Sequence, residues 1–199
     1  MDGLLIIKKK QKLNTMKKIS IFALALTLSL TTIAQDFMGI SVDGSKSTIR
    51  SKFLAKQFTE KKISSPSALL FNGYVSGTPI EVYVFFSPKS NIAWKFVVYL
   101  PKQNDWYALK GEYNKYLDLL TEKYGKPSSS YSTFLSPYYE GDGYEISAVG
   151  IDKCLFSAFW NASYSLEISK YKQVKITYEN TKNSEISAKE TNQIDNANF

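Results

Sequence analysis

The chain reads as an α+β domain in which two helices pack on an antiparallel sheet, in the order α-βββ-α-βββ. Two observations predict this most directly. Stepped at helical pitch, Trp106, Leu109, Tyr113, Tyr116, Leu117, Leu120 and Tyr124 fall within an arc of roughly 100°, one continuous apolar stripe. Over residues 92–100, Ile92, Trp94, Phe96, Val98 and Leu100 alternate with Ala93, Lys95, Val97 and Tyr99, the period of a strand. Strand-like segments lie on both sides of the helix, so the aromatic stripe is expected to rest on a sheet.

Taken in order, FMGISV at 37–42 reads as a short strand and Asp43-Gly44 as a turn. Ser45 or Ser47 caps a helix running through about Gln57, with Ile49, Phe53, Leu54 and Phe58 apolar. The basic, serine-rich 60–67 is a loop. A strand at 69–75 ends in Ser76-Gly77-Thr78-Pro79, and Ile80, Val82, Val84 and Phe86 alternate along the next. After a turn at 87–91 comes the strand at 92–100, expected to be central and at least partly covered on both faces because Val97 and Tyr99 are apolar too. Asp105 caps the central helix, Gly125 can take the left-handed conformation that ends it, and Pro127 prevents its resumption. Residues 128–136 form a loop or irregular strand leading to YYEGDGYE. Strands at 153–160, 163–169 and 173–178 make an antiparallel meander. The remaining 179–199 lack apolar periodicity and read as a disordered polar tail. Leu54 and Phe58 near the end of the first helix are mirrored by Leu120 and Tyr124 in the second. That suggests an internal duplication, although amphipathic helices carry such pairs by chance. Both helices would then share one face of the sheet, leaving the other to solvent or a partner.

The first 34 residues read as a signal peptide. Lys17 and Lys18 form a basic region, residues 19–30 (ISIFALALTLSL) an apolar one, and Thr32, Ile33 and Ala34 set a cut between Ala34 and Gln35. Translation from Met1 or from Met16 fits this pattern. A retained membrane anchor is disfavoured because Thr27, Ser29, Thr31 and Thr32 interrupt a stretch already short for the ~20 residues that span a bilayer. The formal charge of +7 arises mainly there. Six lysines stand against Asp2 in residues 1–34, so 25 less 6 basic and 18 less 1 acidic residues leave a net of +2. Nucleic-acid binding, which needs clustered basic residues, is therefore not expected. The expected product is a periplasmic or secreted monomer: one domain at 35–178 and the tail, with no stable membrane anchor after cleavage. Cys154 can neither pair internally nor be lipidated at the cut, and KCLFSAFW reads as a strand with a buried thiol.

Zero histidines exclude Ser-His-Asp and Cys-His catalysis and the usual zinc sites. P-loop and GxGxxG motifs are absent. No catalytic residue, metal ligand or cofactor is assigned. The one acidic cluster flanked by aromatics and glycines is YYEGDGYE. Tyr138, Tyr139 and Tyr144 could stack on a sugar or peptide while Glu140, Asp142 and Glu145 accept its hydrogen bonds. The same residues also read as a calcium loop, though without the full EF-hand pattern, or as a solvated polar loop with partly buried tyrosines. Trp94, Trp106 and Trp160 each sit at a core-facing phase of a regular element.

The leader, a small helix after FMGISVDGS, the Trp…Tyr…Leu…KYGKP helix and the W-x8-S-x4-V-x3-Y meander (Trp160, Ser169, Val174, Tyr178) together resemble an uncharacterised family of small exported proteins of Gram-negative anaerobes. The element order is similar to the two-repeat plan of β-lactamase-inhibitor proteins and, more weakly, of SmpA-type envelope lipoproteins. The chain departs from the first in lacking disulfides and from the second in lacking a lipidated cysteine, so these likenesses imply a fold and no activity. The function expected is a non-enzymatic exported binding protein for a protein or glycan. The alternatives are a structural or assembly factor of the envelope and, third, a carboxylate-based hydrolase.

Overall fold

The computed structural model describes residues 36–197. The signal peptide, its cut and the choice of starting methionine lie outside the described residues. Within them the fold is α+β, with four helices, an antiparallel sheet of eight strands and a two-stranded ribbon.

The single strand expected at 37–42 is instead a ribbon of β1 (Asp36–Phe37) and β2 (Ile40–Ser41). Met38 and Gly39 both hold positive φ, 54° and 73°, and reverse the chain in two residues. The Ser45 hydroxyl accepts the Thr48 N–H at 3.3 Å and starts α1 (Lys46–Ala55). Gln57, at φ 64°, follows the helix end, and the fully buried Phe53 stacks on Phe71 at 4.5 Å between ring centroids.

Two four-stranded meanders build the large sheet. The first comprises β3 (Thr59–Lys61), β4 (Ala68–Val75), β5 (Thr78–Phe86) and β6 (Ala93–Tyr99). The second comprises β7 (Ser129–Phe134), β8 (Cys154–Trp160), β9 (Tyr164–Ser169) and β10 (Gln173–Glu179). Spatial order is β3-β4-β5-β6-β10-β9-β8-β7, so each meander runs inward from an edge and the two last strands pair at the centre. The expected three strands per half are thus four: β7 takes the irregular-strand alternative read at 128–136, and β3 overlaps the segment read as a loop. Both additions are edge strands with no fully buried side chain, so neither carries an alternating apolar signal.

Between the halves runs α2 (Trp106–Tyr124), capped by Asp105, whose carboxylate accepts the Ala108 N–H at 2.8 Å, and ended at Gly125 with φ 82°. Trp106, Leu109, Tyr113 and Leu120 are buried, and Tyr116, Leu117 and Tyr124 pack partly buried against the same core. Trp106 meets Phe156 edge-to-face at 5.1 Å, and the Trp160 indole N–H donates to the Gly125 carbonyl at 2.7 Å, tying the helix end to β8. A short helix unforeseen in the sequence, α3 (Glu145–Gly150), precedes β8 and adds Val149 to the core.

Trp94 departs from its expected core position. Pairing of β5 with β6 shifts register between Phe85 and Phe86: Phe85 lies opposite Lys95, and Phe86 opposite Ala93. Ala93 and Phe96 are both fully buried, three apart rather than two, so the intervening Trp94 and Lys95 leave the core face together. Trp94 is half-buried, 6.1 Å from the Phe85 ring, with the Lys95 ammonium 4.6 Å from its own ring centre.

The disordered tail expected from residue 179 is corrected to a helix, α4 (Thr181–Ala197). Asn180 caps it, accepting the Asn183 N–H at 3.2 Å, and donates to the Val42 carbonyl at 3.0 Å. The buried Asn183 amide donates to Asp43 at 3.0 Å and to the Ala93 carbonyl at 2.9 Å, while Glu190 accepts the N–H groups of Lys89 and Ser90. Polar side chains dock this helix, which is why apolar periodicity does not reveal it.

A Cβ added to Gly73 would lie 2.3 Å from the buried Phe58 ring. Gly73→Ala is therefore expected to cost about 1–3 kcal/mol in urea unfolding; an unchanged midpoint would show that Phe58 does not pack there. Glu112 on α2 has a buried Oε2 without a partner, and burial outweighs the Gln103 hydrogen bond and the Lys115 charge to hold its carboxyl above the ordinary value. The folded state then binds this proton more readily than the unfolded chain, so the group's contribution is most favourable below its unfolded value. It is lost as pH rises through the interval up to the folded one. Glu112→Gln should raise stability at pH 7 and change it little at pH 3; equal or lower stability at pH 7 would contradict this.

Candidate functional site

The acidic aromatic loop uses its carboxylates to hold its own shape. Glu140 Oε1 pairs with the Lys110 ammonium and accepts the Trp106 indole N–H at 3.4 Å; the hydrogen bond from Lys110 holds its carboxyl below the usual range despite partial desolvation. Asp142 accepts the N–H groups of Tyr139 at 3.0 Å and Tyr144 at 2.7 Å. Glu145, only 7% exposed, opens α3 and accepts the Gly141 N–H at 2.7 Å. Gly141 and Gly143 supply the positive φ that lets the chain curl around these acceptors. Tyr139 and Tyr144 remain exposed and Tyr138 is half-buried. Bonds to Trp106 and Lys110 fix the loop to α2. No group of three His, Cys, Asp or Glu among the described residues could hold a metal ion.

A second arrangement lies across the sheet and was only partly foreseen. Side chains alternate along each strand, so while one face buries Val84, Phe96, Val98, Leu166 and Ile176 under α1 and α2, the other carries the partly exposed Tyr83, Phe85, Tyr99, Lys175 and Glu167 around a buried Val97. None of the latter belongs to the core cluster. The register sets Glu81, Tyr99, Lys175 and Glu167 in one row across four adjacent strands, and Tyr83, Val97, Thr177 and Ser165 in the next.

Tyr99 is the centre of this face. It lines three clefts of about 450, 880 and 420 Å³, and the first two also share Glu81, Lys102 and Gln173. The largest has Tyr83, Phe85 and Val97 as floor and the β9–β10 turn, Lys170 to Lys172, as wall, with Tyr171 59% exposed at its tip. Tyr83 and Tyr99 meet edge-to-face at 5.8 Å. Burial, then the charge of Glu167, raises the Tyr99 hydroxyl above its ordinary value, and burial followed by Glu81 does the same for Tyr83. Both remain neutral at physiological pH, able to donate and to accept. Exposed Leu155, Phe159 and Tyr131 continue the apolar surface toward the β7 edge. None of the residues 138–145 lines these clefts, so the loop and the face are two separate features.

The signal for this face was present in the sequence. Tyr83, Val97 and Tyr99 interrupt what would otherwise be polar outward positions, but apolar residues on both faces of a strand read equally as two-sided burial. Cys154 offers no nucleophile: burial pushes its thiol up to about 12. No described helix is long and apolar enough to cross a membrane.

Comparison of the chain with protein-family models, with curated proteins and with solved structures gives no match. Geometry and chemistry therefore carry the functional reading.

Glu145→Ala would strip a buried acceptor from the loop and is expected to cost about 1–3 kcal/mol, measured by urea unfolding. Calcium added to the unmodified protein should leave its melting temperature unchanged; a calcium-dependent rise would restore the calcium-loop reading.

Proposed function

We propose that this chain is an exported, non-enzymatic binding protein that holds a macromolecular partner, a protein or a glycan, on the open face of its sheet. One observation carries the reading. A run of aromatic and aliphatic side chains centred on Tyr99 faces away from the core, joins no part of the core cluster and lines three adjoining clefts. Large contiguous apolar patches on a protein surface mark interaction sites. Rings with hydroxyl handles supply contact area at low entropic cost.

Export rests on the leader, with its basic and apolar regions and small residues before Gln35. The non-enzymatic reading is favoured because the loop acids serve the fold and Cys154 stays protonated. We also read the chain as an internal duplication: each half is a helix followed by four strands that run from an edge to the shared centre. On this reading the binding face straddles the junction of the two copies, which is where Tyr99 sits opposite Lys175. A disordered tail at 179–199 would have suited an envelope assembly factor, and with residues 181–197 helical that support for the alternative is gone.

Immobilised protein should retain a specific component from cell-envelope or spent-medium fractions, identified by mass spectrometry. Tyr99→Ala should reduce that retention at least severalfold without changing the unfolding free energy by more than about 1 kcal/mol. Equal retention by the variant would contradict an open-face site.

A further inference from the structure

We propose that the ligand of the open face is an acidic segment of a partner protein, its carboxylates meeting Lys102 and Lys172 and its side chains entering the gaps around Tyr83, Tyr99 and Tyr171. This inference rests on the open-face reading above.

The charges of the face are unevenly matched. Lys95, Lys170 and Lys175 are each committed, to Glu179 at 2.9 Å, Asp152 at 3.6 Å and Glu167 at 2.6 Å. Lys102 and Lys172 line the largest cleft, Lys61 and again Lys102 the adjoining one, and none of the three has a carboxylate partner among the described residues. Only Glu81 in those two linings stands against them. Ammonium groups left uncompensated around a ring-walled cleft concentrate field there and draw in an anionic partner.

The floor rings are mixed in orientation: Tyr83 and Tyr99 stand at 86° to each other, while Tyr83 and Phe85 lie near parallel at 17°. The gap between the perpendicular pair suits a side chain, and the uncompensated lysines favour an acidic chain over a neutral sugar. The two joined clefts, about 880 and 450 Å³, have room for several residues of an extended or looped chain.

The test uses isothermal titration of the purified protein with a random glutamate–tyrosine copolymer. A lysine–tyrosine copolymer and polygalacturonate serve as comparators. The glutamate–tyrosine copolymer should bind, more weakly as salt is raised, and better than either comparator. Lys102→Glu/Lys172→Glu should weaken it about tenfold, while Lys115→Glu/Lys126→Glu, outside the clefts, should leave it unchanged. Tighter binding of polygalacturonate, equal binding of the basic copolymer, absence of binding by the acidic copolymer, or indifference to the cleft charge reversal would each overturn the inference. Tyr99→Ala separates the two claims. Copolymer binding that survives Tyr99→Ala overturns the open-face reading itself. If the acidic copolymer fails to bind while envelope retention still depends on Tyr99, only the acidic-segment inference falls.

Discussion

The ladder between β6 and β10 is the pairing on which the rest of the molecule depends. Five residue pairs, from Glu179 opposite Lys95 to Lys175 opposite Tyr99, join two meanders that would otherwise be separate four-stranded sheets. Each meander alone would expose its last strand as an open edge. Pairing those edges with each other satisfies their backbone groups and leaves only β3 and β7 outside. The same ladder decides what lies inside: Phe96, Val98 and Ile176 go under the helices, and by strand alternation Val97, Tyr99 and Lys175 go to the opposite face.

One-sided coverage follows from the composition of the two main helices. α1 and α2 each carry one apolar stripe, and the buried side chains of both belong to a single core cluster. α4, docked by Asn183 and Glu190 at the β5–β6 end, contributes no residue to that cluster. The open face therefore keeps aromatic side chains that a second helix layer would have covered. The bulge in β6 adds to it, since two residues opposite one turn Trp94 out of the core and place it beside Phe85. A sheet that keeps Trp94, Tyr83 and Tyr99 outside its core forgoes burial that would have stabilised it, which supports the proposal that this face meets a partner.

The sequence made legible those features whose apolar pattern is local. α2 is plain from seven positions on one arc and an Asp105 to Gly125 frame, β5 and β6 from alternation, and β4 and β8 to β10 from apolar runs bounded by turns. The features that stayed hidden lack that pattern for identifiable reasons. β3 is an edge with exposed side chains, as is β7, which read only as a loop or irregular strand. α4 presents Asn183 and Ser187 at helical spacing, a polar stripe that carries no hydrophobic signal. Trp94 obeys a two-residue period until a register shift that only its partner strand defines. In YYEGDGYE the residues singled out do converge, but on backbone N–H groups, Trp106 and Lys110, because a glycine-rich turn needs acceptors for its own donors. The open face could not be told from a doubly covered strand without knowing where the helices lie.

The most direct test is hydroxyl-radical footprinting of the free protein, read by mass spectrometry at individual tyrosines. Tyr99 and Tyr171 should be oxidised well above the buried Tyr113 and Tyr178, because water reaches the face they share. Protection of Tyr99 and Tyr171 equal to that of Tyr113 would mean the face is already covered in the free protein and would contradict the account.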